Sequence, residues 1–297
     1  MPAQGLPAAS GEEVLKVEEM VRFVQILRRH FDLAKVRLTG GEPLVRRDVA
    51  TLVAALAAEG IQDIALTTNG ELLADAAAEL RQAGLRRVNI HIDSLEAGTY
   101  RTLTRRGRLS RALAGVEAAR RAGLAPIKLN MVVLRGVNDS EVVAMARFGL
   151  ERGCEVRFLE VMPIGVAAAS HREWFVPSAE VRHRLASAFD LEPLPVVPGA
   201  PSRDVRARDT LGRSGLLGFI SPCSQPFCSD CRRLRLTSAG RLIGCLARAE
   251  GPDVSTLLKA PHGGDEAGLL AAIDQALRLK LKDHCFADQR IMATVGG

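Results

Sequence analysis

The chain has 297 residues, 47% of them apolar, and carries a formal net charge of +6. This length and apolar content allow a buried core in one large or two modest domains, and no run of about 18 apolar residues predicts a membrane span. Six cysteines are too few for a disulfide scaffold, and the start of the chain lacks the basic and apolar regions of a signal peptide, so we expect a cytoplasmic protein.

Short apolar strands alternate with helical patterns as far as about residue 160. The first helix is predicted at 12–31; strand–helix pairs follow at 36–39 and 46–58, 64–67 and 72–83, 88–93 and 110–122, and 127–134 and 140–152, with a last strand at 155–160. Repeated strand–helix units predict a parallel sheet with right-handed crossovers. Because a helix precedes the first strand, we expect one earlier strand to be missing.

Each predicted strand has one polar face. Its members are Arg37 and Thr39, then Thr67, then Asn89, His91 and Asp93, then Lys128 and Asn130, then Arg157. Side chains alternate between the faces of a strand, and a buried parallel sheet is usually apolar on both faces. The pattern therefore predicts a wet, concave pocket inside an open or partial α/β barrel with its helices outside.

The second part of the chain follows a different pattern. Four prolines between residues 193 and 201 indicate an irregular segment from about 162 to 214, and residues 216–220 then form a predicted strand. Runs at 233–237 and 241–245 predict a hairpin. Arg233 and Arg235 fall on one face of that hairpin, and Leu234 and Leu236 on the other.

Two turns and two side chains of the polar face are candidates for chemistry. Gly40-Gly-Glu-Pro43 and Thr67-Thr-Asn-Gly70 each end a strand, where they either admit a ligand to the backbone or form ordinary turns. His91 is either catalytic or a hydrogen-bonded structural residue. Lys128 requires a phosphate or an acidic partner, for which Asp93 or Glu160 is expected.

The most specific motif is Cys228-Ser-Asp-Cys231 followed by Cys245. Three thiolates at this spacing can hold an iron–sulfur cluster with one position left open. Zinc is the alternative, with Cys223, Cys285 or His284 as its fourth ligand. Arg233 and Arg235 follow the second cysteine and are suited to an anionic ligand. An Arg excess also fits nucleic acid, but with aromatics at 4% no base-stacking surface is expected and no nucleic-acid partner is predicted.

These motifs together resemble those of the radical S-adenosylmethionine enzymes, and most closely the GTP 3′,8-cyclase family of molybdenum cofactor biosynthesis. The segments that carry the resemblance are 37–43, 66–70, 89–93, 128–130, 157–162, the three cysteines and the terminal Gly296-Gly297. The resemblance implies a partial (β/α)6 barrel with its first strand missing over residues 1–160, and a region over 161–297 that binds an auxiliary cluster and GTP. It also implies conversion of GTP to (8S)-3′,8-cyclo-7,8-dihydroguanosine 5′-triphosphate.

The resemblance also implies the cofactors and the roles of individual residues. An auxiliary [4Fe–4S] cluster would be held by Cys228, Cys231 and Cys245, and a second [4Fe–4S] cluster would bind S-adenosylmethionine. Positions matching those that bind GTP are Arg37, Thr67, Lys128, Arg157, Arg233, Leu234 and Arg235. Positions matching those that contact S-adenosylmethionine are Gly41, His91 and Met162. A homodimer and a downstream cyclic pyranopterin synthase are the expected protein partners.

Two departures from the family pattern affect these expectations. The family's Cys-x-x-x-Cys-x-x-Cys motif is not found in the sequence, and the family pattern places it just before Met1. The chain as written is therefore expected not to cleave S-adenosylmethionine, either through a misassigned start codon or through true loss of the cluster. His91 stands where the family usually has Ser. The alternatives are a peptide-modifying radical enzyme with an auxiliary cluster and a non-catalytic iron–sulfur or nucleotide-binding protein.

Overall fold

The computed structural model describes residues 14–248, 250–259 and 265–280. Its strands are β1 (Lys35–Leu38), β2 (Asp63–Thr68), β3 (Arg87–His91), β4 (Ile127–Val133), β5 (Glu155–Glu160), β6 (Phe189–Pro193), β7 (Ser202–Asp209), β8 (Ser214–Ile220), β9 (Arg235–Leu236) and β10 (Leu242–Ile243). Its α-helices are α1 (Val17–His30), α2 (Val49–Ala58), α3 (Leu73–Gln82), α4 (Ala97–Thr104), α5 (Leu109–Arg121), α6 (Val142–Arg152), α7 (His171–Trp174), α8 (Ser178–Ala186), α9 (Ser255–Lys259) and α10 (Glu266–Arg278).

Eight strands form one sheet in the order β1-β2-β3-β4-β5-β8-β7-β6. Neighbours from β1 through β5 to β8 are parallel, whereas β7 and β6 extend the far edge as an antiparallel pair. The expected partial α/β barrel is therefore confirmed. The division of the chain at residue 160 stays a prediction, since the sheet itself continues across that position. The expected absence of an earlier strand stays a prediction, since residues 1–13 lie outside the described residues.

The apolar face of the sheet packs against the helices. Alternate residues such as Ile64, Leu66, Val88 and Ile90 are fully or almost fully buried in one core with apolar residues of α2, α3, α5 and α6. Burial of this face follows from the alternation of the strands and from the apolar stripes of the helices. The polar side chains at the intervening positions are thereby left on the other, concave side.

The prediction that residues 162–214 form an irregular segment is wrong in part. The segment contains the helices α7 and α8 and the hairpin of β6 and β7. The prolines end or interrupt these elements: Pro193 is the last residue of β6, and Pro195, Pro198 and Pro201 fall in the β6–β7 loop. β6 lies at the edge of the sheet, where a proline is tolerated because no further strand needs its missing N–H.

A second, smaller core joins the two ends of the described chain. Phe23 and Ile26 of α1 pack with Leu269 and Ile273 of α10, and β10 and α9 complete the cluster. Leu234 and Leu236 pack against it, as the predicted hairpin faces require. Arg29 and His30 of α1 contact the Glu266 carboxylate at 2.5 and 2.7 Å. None of the helices in the described ranges combines the length and apolar character needed to cross a bilayer.

Candidate functional site

The register of the sheet places the predicted polar residues on one face. Direct Cα partners are Thr67 with Asn89, and Asn89 with Lys128. One row further along, His91 pairs with Asn130, and Asn130 with Arg157. Directly paired residues point to the same side of a sheet. The polar face predicted strand by strand is therefore one continuous surface, which we call the lumen face.

Arg37 is at the centre of a cluster of cations. Its side chain keeps solvent contact although protein surrounds most of it, as expected for a group that lines an open concavity. Burial and four neighbouring guanidinium groups lower the pKa of Arg37 to about 10; those groups belong to Arg87, Arg157, Arg233 and Arg235. The sheet and the C-terminal hairpin thus contribute cations to the same concavity.

Two guanidinium nitrogens in this cluster are buried without a hydrogen-bond partner. They are Nε of Arg157 and Nη2 of Arg233, and Oδ1 of Asn130 on the lumen face is also unpaired. The Arg233 guanidinium also lies over the Phe227 ring, 5.1 Å from its centre. Buried donors of charged groups are costly to leave unsatisfied. A polyanion placed among them would accept these hydrogen bonds, so the arrangement is suited to a phosphate-bearing ligand.

Lys128 has a carboxylate partner, but not one of the two that were predicted. It is 8% exposed and forms an ion pair with Glu155, its Cα partner on β5. The prediction that Asp93 or Glu160 is the acidic partner of Lys128 is wrong. Glu160 instead accepts from the backbone N–H groups of Ser178 and Cys223 at 2.9 and 3.0 Å.

Asp93 accepts a hydrogen bond from the neighbouring strand β4. Its Oδ1 accepts the backbone N–H of Val132 at 2.8 Å. Burial raises the pKa of the Asp93 carboxyl, and the adjacent His91 acts in the opposite direction. The Asp93 carboxyl is thus engaged with β4, and the role of His91 toward S-adenosylmethionine stays a prediction.

Four residues that the sequence did not single out belong to the same surface. Arg87 binds Asp63 through two contacts, of 2.5 and 2.7 Å. Asp204 of β7 lies close to Arg157 and favours its charged form. Gly218 makes this possible, because a Cβ there would lie 2.4 Å from Ser202 Oγ and 2.7 Å from Asp204 Oδ1.

The loops that end β1 and β2 are joined by Glu42. Its carboxylate accepts from Thr68 Oγ1 at 2.7 Å and from the backbone N–H of Asn69 at 2.8 Å. Gly41 lies exposed in the first of these loops. Thr67 Oγ1 accepts from Asn89 Nδ2 at 3.1 Å. The two strand-end motifs therefore form one structural unit at the carboxyl edge of the sheet.

Met162 and the Cys223 loop follow the last parallel strands. Met162 is half-buried directly after β5, and its carbonyl accepts from the N–H of Ile164 at 2.8 Å. The Cys223 sulfur lies 3.6 Å from the Val161 carbonyl and 3.8 Å from Nε2 of His171. Burial raises the pKa of the Cys223 thiol to about 11. Its part as a zinc ligand stays a prediction.

The three predicted cluster ligands lie beside the hairpin. Cys228 and Cys231 are the ends of one 3-10 turn, closed by a 3.2 Å hydrogen bond from the Cys231 N–H to the Cys228 carbonyl. Cys245 follows β10. The Arg235 pKa is lowered by burial and by Arg233, while the thiolates of Cys231 and Cys245 oppose that shift. Both thiolates thus lie close to an arginine of the cation cluster.

Lys280 adds a further cation to this region. Its Nζ donates to the Cys231 carbonyl at 2.8 Å, and burial lowers the Lys280 pKa against the pull of the Cys231 and Cys245 thiolates. Gly244, next to Cys245, allows α10 to approach, because a Cβ there would lie 1.9 Å from the Ala276 carbonyl oxygen. Neither residue carries a sequence signal of function.

Three cysteine thiolates are a donor set of the kind that holds an iron–sulfur cluster. Among the described residues, no three His, Cys, Asp or Glu side chains are grouped to hold one metal ion. A [4Fe–4S] cluster binds each thiolate through a different iron, so its ligands need not converge on one point. Cys285 and His284, proposed as zinc ligands, and Gly296-Gly297 lie outside the described residues. No residues of the sequence fit the family's other cluster, because the Cys-x-x-x-Cys-x-x-Cys motif is not found in it.

Comparisons with known proteins agree with these features. Residues 6–149 match the model of the Radical SAM superfamily, and residues 154–286 match that of Molybdenum Cofactor Synthesis C. The chain is 42% identical over 303 residues to a protein of Moorella thermoacetica named GTP 3′,8-cyclase, with 100% of the chain and 92% of the relative covered. A Geobacter sulfurreducens protein of the same name is 41% identical, with 100% and 91% covered.

Proposed function

Because the chain belongs to the GTP 3′,8-cyclase family of radical S-adenosylmethionine enzymes, we propose that its lumen face binds GTP by the triphosphate for the first step of molybdenum cofactor biosynthesis. The observation that carries this proposal is the convergence of Arg37, Arg157 and Arg235 on one concavity. Three cations from three different elements give a charge density that a polyphosphate matches. Lys128 and Arg233 enlarge the same positive surface.

The chain's own residues would hold and orient the nucleotide. Nε of Arg157 and Nη2 of Arg233 are the unsatisfied donors that phosphate oxygens would accept from. Arg233 and Arg235 alternate with Leu234, whose side chain packs on the second core and thereby fixes the direction of both guanidinium groups. Thr67 and Asn89, already hydrogen-bonded to each other, form the neutral part of the surface.

The auxiliary cluster would be held by Cys228, Cys231 and Cys245. When bound, it supplies an iron with an open coordination position for the guanine. The arginines that flank these cysteines keep the two ends of the nucleotide within one site, because Arg235 lies near both Cys231 and Cys245. Gly41, His91 and Met162 are proposed to contact S-adenosylmethionine at the carboxyl edge of the sheet, where the loops joined by Glu42 lie.

The setting that we propose for the chain is the one that the resemblance implies. The chain would act in the cytoplasm as a homodimer, and a cyclic pyranopterin synthase would consume its product. The five cysteines of the described ranges are all free, in accord with a reducing compartment. Analytical ultracentrifugation of the purified chain tests the homodimer, because a monomer would give half the molecular mass expected for a dimer.

The test of the function is the affinity of the chain for GTP. We expect Arg235→Ala to weaken binding by roughly 1.5–3 kcal/mol, the contribution of a charged hydrogen bond, when dissociation constants are measured by calorimetry. Arg241→Ala removes an exposed guanidinium beside the same hairpin and is the matched control, with no expected change. Equal dissociation constants for wild type and Arg235→Ala would exclude the phosphate-binding role of Arg235.

A further inference from the structure

The ion pair of Lys128 and Glu155 lies on the lumen face, near Arg157 of the proposed phosphate site. The two residues are direct Cα partners on adjacent parallel strands, so their side chains leave the sheet side by side. The Lys128 side chain is 10% exposed and that of Glu155 is 20% exposed. The lysine is thus the more enclosed member, and the carboxylate is the member with more access to water.

Glu155 is surrounded by cations on both sides. Burial lowers the pKa of Lys128, as do Arg157 and Arg87, and Glu155 opposes that shift. The same carboxylate favours the charged form of Arg157. Without this negative charge, the ammonium group of Lys128 would lie near the guanidinium groups of Arg157 and Arg87 with no carboxylate partner of its own, which is costly in a partly desolvated site.

Two other carboxylates of the lumen face are held differently. Asp63 is bound by Arg87 through both of its oxygens. Asp204 accepts a hydrogen bond at 2.5 Å from the hydroxyl of Ser202, which lies on the same strand. Glu155, by contrast, contacts the ammonium group of Lys128 through a single oxygen, Oε2. An incoming anion can therefore take the place of Glu155 at Lys128 by replacing one hydrogen bond.

We propose that Glu155 is a resident counterion that occupies Lys128 until a phosphate group displaces it, and that it thereby sets the affinity of the site for polyphosphates. This inference rests on the proposed function, since it concerns the same site. A triphosphate carries several charges where Glu155 carries one, so it replaces the carboxylate at both Lys128 and Arg157. Glu155 is a positioning residue: it keeps the lysine charged and directed into the concavity while no ligand is bound.

The experiment measures the binding of inorganic triphosphate, GTP and guanosine to the full chain by calorimetry. Glu155→Gln keeps the shape of the side chain and removes its charge. We expect it to tighten the binding of triphosphate and GTP about tenfold, the low end of the coupling of close charge pairs, with guanosine unchanged. Glu117→Gln, which removes one charge from the exposed pairs with Arg120 and Arg152, is the matched control and should change affinity less than about twofold.

A double-mutant cycle shows whether Glu155 acts through Lys128. In a Lys128→Met background, the Glu155→Gln change should tighten triphosphate binding less than about threefold, because the charge it releases is gone. If Glu155→Gln lowers the midpoint of thermal unfolding, Glu155→Asp is used in its place, because it keeps the charge but moves it away from Lys128 by one methylene group. We then expect a smaller gain, of about threefold.

The outcomes separate this inference from the proposed function. Unchanged or weaker triphosphate binding in Glu155→Gln, or equal tightening in both lysine backgrounds, overturns the counterion role even if wild type binds GTP. A second outcome is that Glu155→Gln binds triphosphate more tightly, while wild type binds GTP no better than triphosphate. That outcome supports the counterion role of Glu155 and counts against GTP as the ligand. Binding of neither ligand to wild type overturns both.

Discussion

Two regions of the molecule contribute cations to one concavity, and they fix them in different ways. On the sheet, Arg37, Lys128 and Arg157 lie on paired strands of four, seven and six residues, so the ladder itself sets the direction of their side chains. The hairpin has strands of only two residues, and Arg235 keeps its place because the apolar residues beside it pack on the second core. The sheet side is fixed by backbone register, and the hairpin side by packing.

This difference predicts where the site is vulnerable. A substitution on the lumen face changes charge but leaves the ladder and the main core intact. A substitution in the packing of the hairpin against α10 moves cations and cluster ligands together, since Arg235 lies near both Cys231 and Cys245. Binding and stability should therefore separate on the sheet side and change together on the hairpin side.

The largest effect is expected from Gly244→Ala. A Cβ at this position would lie 1.9 Å from the backbone oxygen of Ala276, and neither backbone can yield cheaply. We expect unfolding free energy to fall by about 3 kcal/mol, measured by urea denaturation, with iron uptake and GTP binding lost together. Gly98→Ala is the control, because no atom lies within 4 Å of its added Cβ, and it should be neutral or slightly stabilising. Normal stability of Gly244→Ala would contradict the close approach of α10.

A smaller effect is expected from Lys280→Met. The change removes the 2.8 Å hydrogen bond to the Cys231 carbonyl but keeps the apolar part of the side chain. We expect a loss of about 1 kcal/mol in unfolding free energy and a lower iron content after anaerobic reconstitution, with Cys228→Ser as the reference for loss of the cluster. Arg278→Ala, two residues earlier and largely exposed, should retain wild-type iron. Iron content unchanged in Lys280→Met would remove this lysine from the cluster environment.

The smallest effect is a change of affinity with pH. Burial and neighbouring guanidinium groups lower the pKa of Arg37 to about 10, and burial also lowers the pKa of Lys128. A bound polyanion favours the charged forms, so affinity for inorganic triphosphate should be full below these pKa values and fall as pH rises through them. Calorimetry in two buffers near pH 10 should detect proton uptake on binding. A dissociation constant that stays constant from about pH 8 to 11 would contradict this linkage.

The sequence was sufficient for the sheet side of the site. Alternation assigned Arg37, Lys128 and Arg157 to one face because the period of a strand is two, and no knowledge of strand pairing is needed for that. The same alternation placed Arg233 and Leu234 on opposite faces of the hairpin. The three cysteines were identified by their spacing, although their role as cluster ligands remains a prediction.

The rest depended on which strands are neighbours and on where helices end. Glu155 is the partner of Lys128 because of the β4–β5 register, which the sequence of either strand does not contain. Arg87 begins a strand that was predicted to start one residue later. Asp204 lies on a strand within the proline-rich segment, and Lys280 reaches Cys231 from the end of a distant helix. Each is a long-range contact with no local pattern.

The second core has a consequence for how the polypeptide folds as it is made. Arg29 and Glu266, which form an exposed ion pair beside this core, are 237 residues apart in the chain. At a synthesis rate of about 5–20 residues per second, α1 leaves the ribosome roughly 10–50 seconds before α10. During that interval Phe23 and Ile26 lack the helix that covers them, so the nascent chain exposes an apolar surface that a chaperone can bind.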